Sequence, residues 1–174
     1  VSEAGEFIDT ALQYEGSWER ASAALRQAQE PQSRVAGAAG GVTDLRFYGA
    51  SIGAVRGTVR DTLRRYPELD HDAVTALSTE LWSTPVFERR LAAIVLLQSR
   101  VGLLTNTDLT RLEGFLRSAE LKVLVDALAT DVVRPLISGL DERSSQRALQ
   151  VLGRWASDEN SGLRTAAALV TPNL

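Results

Sequence analysis

Apolar residues recur along this chain at intervals of three and four, not two, so the pattern predicts helices nearly throughout and no alternating strand. Ser2 caps a short first helix carrying Phe7, Ile8 and Leu12, and residues 17–30 read as a more polar second one with Trp18, Ala21, Ala24 and Leu25. The Gly/Ala-rich stretch Ala36–Gly41, within residues 36–44, reads as a frayed or disordered connection. Ser51 then caps a helix with Ile52, Val55, Val59 and Leu63 at core spacing, stopped by Pro67. Asp70 caps the next, with Val74, Leu77 and Leu81 inward. Thr84 as cap, with Pro85 at the first helical position, opens a strongly apolar helix through Leu91, Ile94, Val95 and Leu97. Thr107-Asp108 opens another with Leu109, Leu112 and Leu116. Residues 119–134 form a helix ended by Pro135, residues 142–156 one carrying Leu149 and Leu152, and a last helix begins near Ser161.

Helices of this length joined by short turns pack as antiparallel pairs. Pairs recurring at about 35–45 residues predict an all-α fold, a right-handed HEAT-like helical-repeat solenoid of about four pairs in one domain over residues 1–174. The concave face of such a stack is a ready binding surface. The last helix, Leu163–Val170, is under way as the sequence ends, so the helix expected to cover the last pair is either missing or lies beyond Leu174. A valine start and the absence of methionine suggest a trimmed chain.

Composition narrows the chemistry. With 44% hydrophobic residues, a net charge of -3 and both signs scattered, the chain reads as a globular protein of the cytoplasm. No apolar run reaches the roughly 20 residues that span a bilayer, and there is no signal-peptide pattern. No cysteine excludes disulfides, thiol nucleophiles and cysteine-built zinc sites, and the single histidine, His71, argues against a His-rich metal site or a Ser-His-Asp triad. No metal or organic cofactor is implied. Slight acidity argues against wholesale coating of nucleic acid, but arginine outnumbers lysine 18 to 1 and can still form a local basic face.

Asp126 is the residue whose chemistry is hardest to explain away. It lies in Lys122-Val123-Leu124-Val125-Asp126-Ala127-Leu128-Ala129, with no other acid within four residues. A carboxylate in so apolar a helix costs free energy unless something pairs with it or uses it. It either stabilises a developing cation or pairs with Lys122, the sole lysine, one turn upstream. Lys122 has a second reading as a nucleophilic amine that forms a Schiff base with a carbonyl, if burial lowers its pKa. Arg56, Arg60 and Arg64 recur every four residues and either track a phosphate backbone or pair with acids such as Asp61. Arg89 and Arg90 oppose the dipole in the first turns of their helix, which hints at a purpose for them or at packing against Glu88 or a neighbouring repeat. Asn160 and Arg164 surround a helix start, where free N–H groups bind phosphate. Trp82 and Trp155 read as packing residues, while Tyr48 beside Gly49 suits either role.

Four segments in order carry a family resemblance. They are Leu45-Arg46-Phe47-Tyr48-Gly49-Ala50-Ser51-Ile52-Gly53-Ala54-Val55-Arg56; Glu80-Leu81-Trp82-Ser83-Thr84-Pro85-Val86-Phe87-Glu88-Arg89-Arg90-Leu91-Ala92-Ala93; Leu124-Val125-Asp126-Ala127-Leu128; and Arg154-Trp155-Ala156-Ser157-Asp158-Glu159-Asn160-Ser161-Gly162-Leu163-Arg164. From residue 30 or so to its end the chain resembles the bacterial DNA alkylation-repair family, AlkD-type glycosylases built from HEAT-like repeats. The resemblance implies binding of duplex DNA on the concave face and hydrolysis of the N-glycosidic bond of alkylated purines of the 3-methyladenine and 7-methylguanine class. Asp126 falls on the family's catalytic aspartate, whose charge would stabilise an oxocarbenium-like sugar. Tyr48, Arg56, Arg60, Arg89, Arg90, Asn160, Arg164 and Thr165 are the candidate DNA contacts. The chain departs from the family where a tryptophan gives way to Lys122, an arginine to Thr165 and a tyrosine to Gly40, and a tryptophan-bearing helix would lie beyond Leu174. The competing expectation is a non-catalytic helical scaffold that binds DNA or a protein partner.

Overall fold

The computed structural model describes residues 1–36 and 43–174; most of the connection read over residues 36–44, Gly40 included, lies outside the described residues. The described residues form two compact units, one of residues 1–29 and 43–100, the other of residues 30–36 and 101–174. Both are helical, and among the described residues β-pairing is limited to two isolated bridges.

In the first unit, α1 (Glu3–Tyr14), α2 (Trp18–Ala28), α3 (Ile52–Arg65) and α4 (His71–Ser83) each start where a short polar side chain accepts a backbone N–H of the first turn. Ser2, Ser17, Ser51 and Asp70 do this, each worth about 1 kcal/mol. Helix α5 (Phe87–Ser99) is the centre: residues 88–97 are all buried, and it packs against α1, α3 and α4. It begins two residues later than Thr84-Pro85 predicts. Val86 is held extended beside Arg46, whose N–H donates to the Pro85 carbonyl (2.8 Å) and whose carbonyl accepts from Phe87 (2.9 Å), so α5 starts only after that bridge. Ile52, expected inward, is 58% exposed; Thr58 and Thr62 take buried positions beside Val55 and Val59.

In the second unit, α6 (Leu109–Arg117) follows a 3₁₀ turn, Asn106–Asp108. The start lies at Thr105, not Thr107, because the Asp108 carboxylate reaches back to accept the Thr105 N–H (2.8 Å), one half of a capping box. Helix α7 (Lys122–Ala127) runs through a π-helical stretch, Leu128–Val133, into α8 (Arg134–Ser138). The sequence predicts a stop at Pro135, and the structure corrects this. The Arg134 N–H donates to Ala129, five residues back, so the widened turn takes up the proline inside a continuing helix. Helices α9 (Glu142–Ala156) and α10 (Ser161–Val170) form a hairpin capped by Asp141 and Asn160. Leu149 is 44% exposed, and the inward stripe of α9 is Ala148, Leu152 and Trp155. The α4–α5 and α9–α10 hairpins accord with the expected all-α helical-repeat class. No helix among the described residues is long and apolar enough to cross a membrane.

Candidate functional site

Asp126 is exposed, so it bears little of the cost that its apolar neighbours in sequence imply. Leu121, Leu124, Val125, Leu128, Ala129 and Val132 form the buried stripe at helical spacing, and Lys122, Val123 and Asp126 fall on the opposite face. Val123 is 53% exposed beside the acid. Among the described residues no ion pair joins Lys122 to Asp126 and no side chain hydrogen-bonds its carboxylate. Lys122 is exposed too, so the burial that the Schiff-base reading requires is not there. The Asp126 carbonyl accepts from Thr130 Oγ1 (2.8 Å) just before the π turn widens the helix.

The start of α7 is clamped from outside the helix. Glu120 has a φ of 63°, a left-handed conformation costly for a residue with a side chain. Its carbonyl accepts from Val35 (2.8 Å) and its carboxylate lies 3.9 Å from the buried Arg34 guanidinium. Residues 34–35 thus fix the turn that aims α7. Neither Arg34 nor Glu120 is marked by the helical pattern, because the contact spans 86 positions and answers to no local period.

Helix α10 packs against α7 through Gly162, where an added Cβ would meet the Leu116 carbonyl at 3.1 Å and Val125 Cγ2 at 3.5 Å. Asn160 is used as its cap, accepting from Leu163 (3.0 Å). Arg164 is exposed, with Nη1 donating to the carbonyls of Asp158 (2.7 Å) and Glu159 (2.8 Å); its other two nitrogens have no acceptor among the described residues. Asp158 is anchored by both Nη atoms of Arg117 (2.8 and 3.1 Å) and accepts from the Asn160 N–H. Those hydrogen bonds from Arg117 and Asn160 hold its carboxyl below the ordinary value. Trp155 is buried, its indole N–H donating to Glu113 (2.7 Å), as expected of a packing residue. Thr165 is exposed on α10.

In the first unit the arginines separate into two kinds. Arg56, Arg60 and Arg64 lie on the solvent side of α3. Arg89 and Arg90 are buried. Arg89 pairs with Asp9 (3.0 Å) and donates to the Glu80 carbonyl; Arg90 donates to the Trp82 carbonyl (3.1 Å) and lies 4.9 Å over its ring. Both guanidiniums are engaged in the interior, which departs from the expectation of surface contacts. Tyr48 is half-buried, and its hydroxyl donates to Asp9 (2.7 Å).

That bond makes the unit sensitive to both pH extremes. Burial and the hydrogen bond to anionic Asp9 push the Tyr48 phenol up to about 12 from 10.0. Its contribution is therefore complete below about pH 10 and is lost as pH rises toward 12. For Asp9, burial alone would raise the carboxyl, but bonds from Tyr48, Arg89 and Gln13 and the charge of Arg89 outweigh it and hold it below 3.8. Its contribution is present above that value and fades as pH falls below it. In an absorbance titration, Tyr48→Phe is expected to remove the phenol that titrates at about 12. A variant curve with the high component intact would contradict the assignment.

Among the described residues no cluster of His, Cys, Asp and Glu is arranged to hold a metal ion. The arrangement can therefore offer an exposed carboxylate on α7, a part-engaged arginine on α10 and an arginine row on α3. No curated protein matches the chain. One family model, described as DNA alkylation repair enzyme, matches residues 21–173. With nearly all of its helices inside that match, the chain belongs to the DNA alkylation repair enzyme family.

Proposed function

We propose that this protein binds duplex DNA and hydrolyses the N-glycosidic bond of alkylated purines such as 3-methyladenine and 7-methylguanine, with Asp126 as the catalytic residue. One observation carries the reading: Asp126 is an exposed carboxylate with no partner among the described residues, on a helix whose start is clamped. Alkylation leaves positive charge on the base and makes it a good leaving group, so the protein's task is to stabilise the sugar as the bond breaks. In water a carboxylate about 4 Å from a cation contributes only about 1 kcal/mol, and about 4 kcal/mol at an effective dielectric of 20. Bound DNA must therefore cover Asp126 for it to act, with the exposed Val123 supplying apolar contact beside Lys122, which stands where the family has a tryptophan one turn before the acid. Arg164 and Thr165 on α10 are the proposed DNA contacts in this unit.

The test is release of free 7-methylguanine from methylated duplex DNA by the wild-type protein. Release above the spontaneous rate is expected. Tight duplex binding without release would reject the enzyme and leave a DNA-binding scaffold, a reading that Lys122 in place of tryptophan favours. Absence of both would reject the DNA reading itself.

A further inference from the structure

Helices α1 and α3 enclose a groove of about 700 Å3 in the first unit. Its charged lining is four acids, Glu3, Glu6, Glu15 and Asp61, against one cation, Arg65, and all five are exposed. Glu3 accepts from the Tyr66 hydroxyl (3.1 Å), and Asp61 lies 3.7 Å from Arg60 in a pair too exposed to neutralise much. The carboxylates of Glu6 and Glu15 have no hydrogen-bond or ion-pair partner among the described residues. Carboxylates repel phosphate, so the groove is a poor seat for a duplex and a good one for a cation.

Acids alone would mark only a solvated face. The second observation is a guanidinium already seated in the groove, on rings and not on acids. Arg65 lies 5.3 Å from the centre of the Phe7 ring and 5.8 Å from that of Tyr66. The two rings meet edge to face, 6.3 Å apart at 79°, and form two walls of an open cage. Among the described residues Arg65 makes no ion pair with the acids around it. A third ring, Tyr14, lines the far end of the groove beside Glu15 and is 87% exposed. Glu3, Phe7, Thr10 and Tyr14 follow one another at spacings of three and four, so they form a single stripe along α1.

We propose that this groove is a docking site for a basic segment of a partner protein. The segment lays an arginine on the Phe7 and Tyr66 rings and further cations against Glu6 and Glu15. Arg65 holds the ring site in the free protein and gives way to solvent as the partner's arginine enters. From Glu3 to Tyr14 the stripe is about 16 Å long, which an extended segment of about five residues covers. Arginine suits the rings better than lysine because its planar, weakly hydrated group stacks on them. Each contact is weak at an exposed surface, so several cations must engage together. The site is independent of the DNA reading above and shares no residue with it.

Fluorescence anisotropy of a fluorescein-labelled hexapeptide of alternating arginine and glycine tests it, at low salt where exposed charges are least screened. Wild type is expected to bind. Glu6→Gln and Glu15→Gln are each expected to weaken binding about two- to fivefold. Phe7→Leu, which keeps apolar bulk but loses the ring face, should weaken it by a similar factor. Arg65→Met is expected to tighten binding about two- to fivefold, because it clears the rings and removes the resident positive charge. Glu142→Gln, which removes one negative charge from α9, is expected to change nothing. Far-UV circular dichroism checks that the helices persist, and Arg65→Met, at an exposed position, keeps the ring site testable if Phe7→Leu unfolds. No binding by wild type overturns the proposal. So does equal weakening by Glu142→Gln and the groove variants, which would mean general attraction to an acidic chain. An Arg65→Met protein that binds no tighter than wild type overturns the ring site.

Discussion

Asp126→Asn is expected to slow single-turnover release of 7-methylguanine from methylated duplex by about 10²- to 10³-fold, with duplex affinity kept or slightly raised. The amide has the carboxylate's shape but not its charge, so the change isolates electrostatics from packing. About 4 kcal/mol for a close charge pair in a covered site corresponds to roughly 10³ in rate, whereas about 1 kcal/mol in open water corresponds to less than tenfold. The measured ratio therefore reports how far bound DNA desolvates the acid. Single-turnover conditions keep slow product release from masking the chemical step. A variant that retains more than about a tenth of the wild-type rate would show that the carboxylate is at most a minor source of stabilisation, acting in open water. Since Asp126 is exposed and its carboxylate has no partner among the described residues, loss of the fold does not offer a competing explanation.

Glu88→Ala should instead act on the fold, destabilising the first unit by about 3–5 kcal/mol. Glu88 is 2% exposed, and its two oxygens accept the N–H groups of Tyr48 (2.8 Å) and Gly49 (3.0 Å). Removing it strands two backbone donors, each costing about 1–3 kcal/mol when buried. The segment it holds has little freedom to find other partners. Gly49 sits at φ 82°, its carbonyl accepts from Ser17 and from Arg20 Nε (2.7 Å), and a Cβ there would collide with the Ser17 carbonyl. Urea unfolding followed by fluorescence of Trp82, buried in the same unit, measures the loss. Glu88→Gln keeps one acceptor and should fall between alanine and wild type. A Glu88→Ala protein within about 1 kcal/mol of wild type would mean that water replaces the carboxylate, contrary to its burial.

Much of the fold was legible from local chemistry. Ser2, Ser51, Asp70 and Asn160 mark helix starts because a short side-chain oxygen there satisfies an N–H that the helix itself leaves unpaired. The misplaced starts, at Thr84-Pro85 and Thr107, arose where a more distant or better-spaced partner prevailed: Arg46 against Val86, and Asp108 against Thr105. The second was readable, since Thr105 and Asp108 have capping-box spacing. Pro135 misled because a proline's cost depends on whether the preceding turn can widen, as it does through the π stretch.

The candidate site was legible to a smaller extent. The position of Asp126 off the stripe Leu121, Leu124, Val125, Leu128 follows from helical period alone, so its exposure was there to be read. The arginines were not. Arg56 and Arg60 look in sequence much like Arg89 and Arg90, arginines on amphipathic helices, yet the first pair faces solvent and the second lies inside. What separates them is the presence of Asp9, the Glu80 carbonyl and the Trp82 ring around α5, brought there by other helices.

By itself, then, the sequence determined the all-α class, most helix limits and the acid that stands apart on its helix, because capping and periodicity act over a few residues. Only the tertiary structure decided which arginines remain available, what fixes the start of α7 and what seats the Arg65 guanidinium over the Phe7 ring. Those outcomes depend on contacts between residues tens of positions apart, and a charged side chain is buried or solvated according to the partners that such contacts supply.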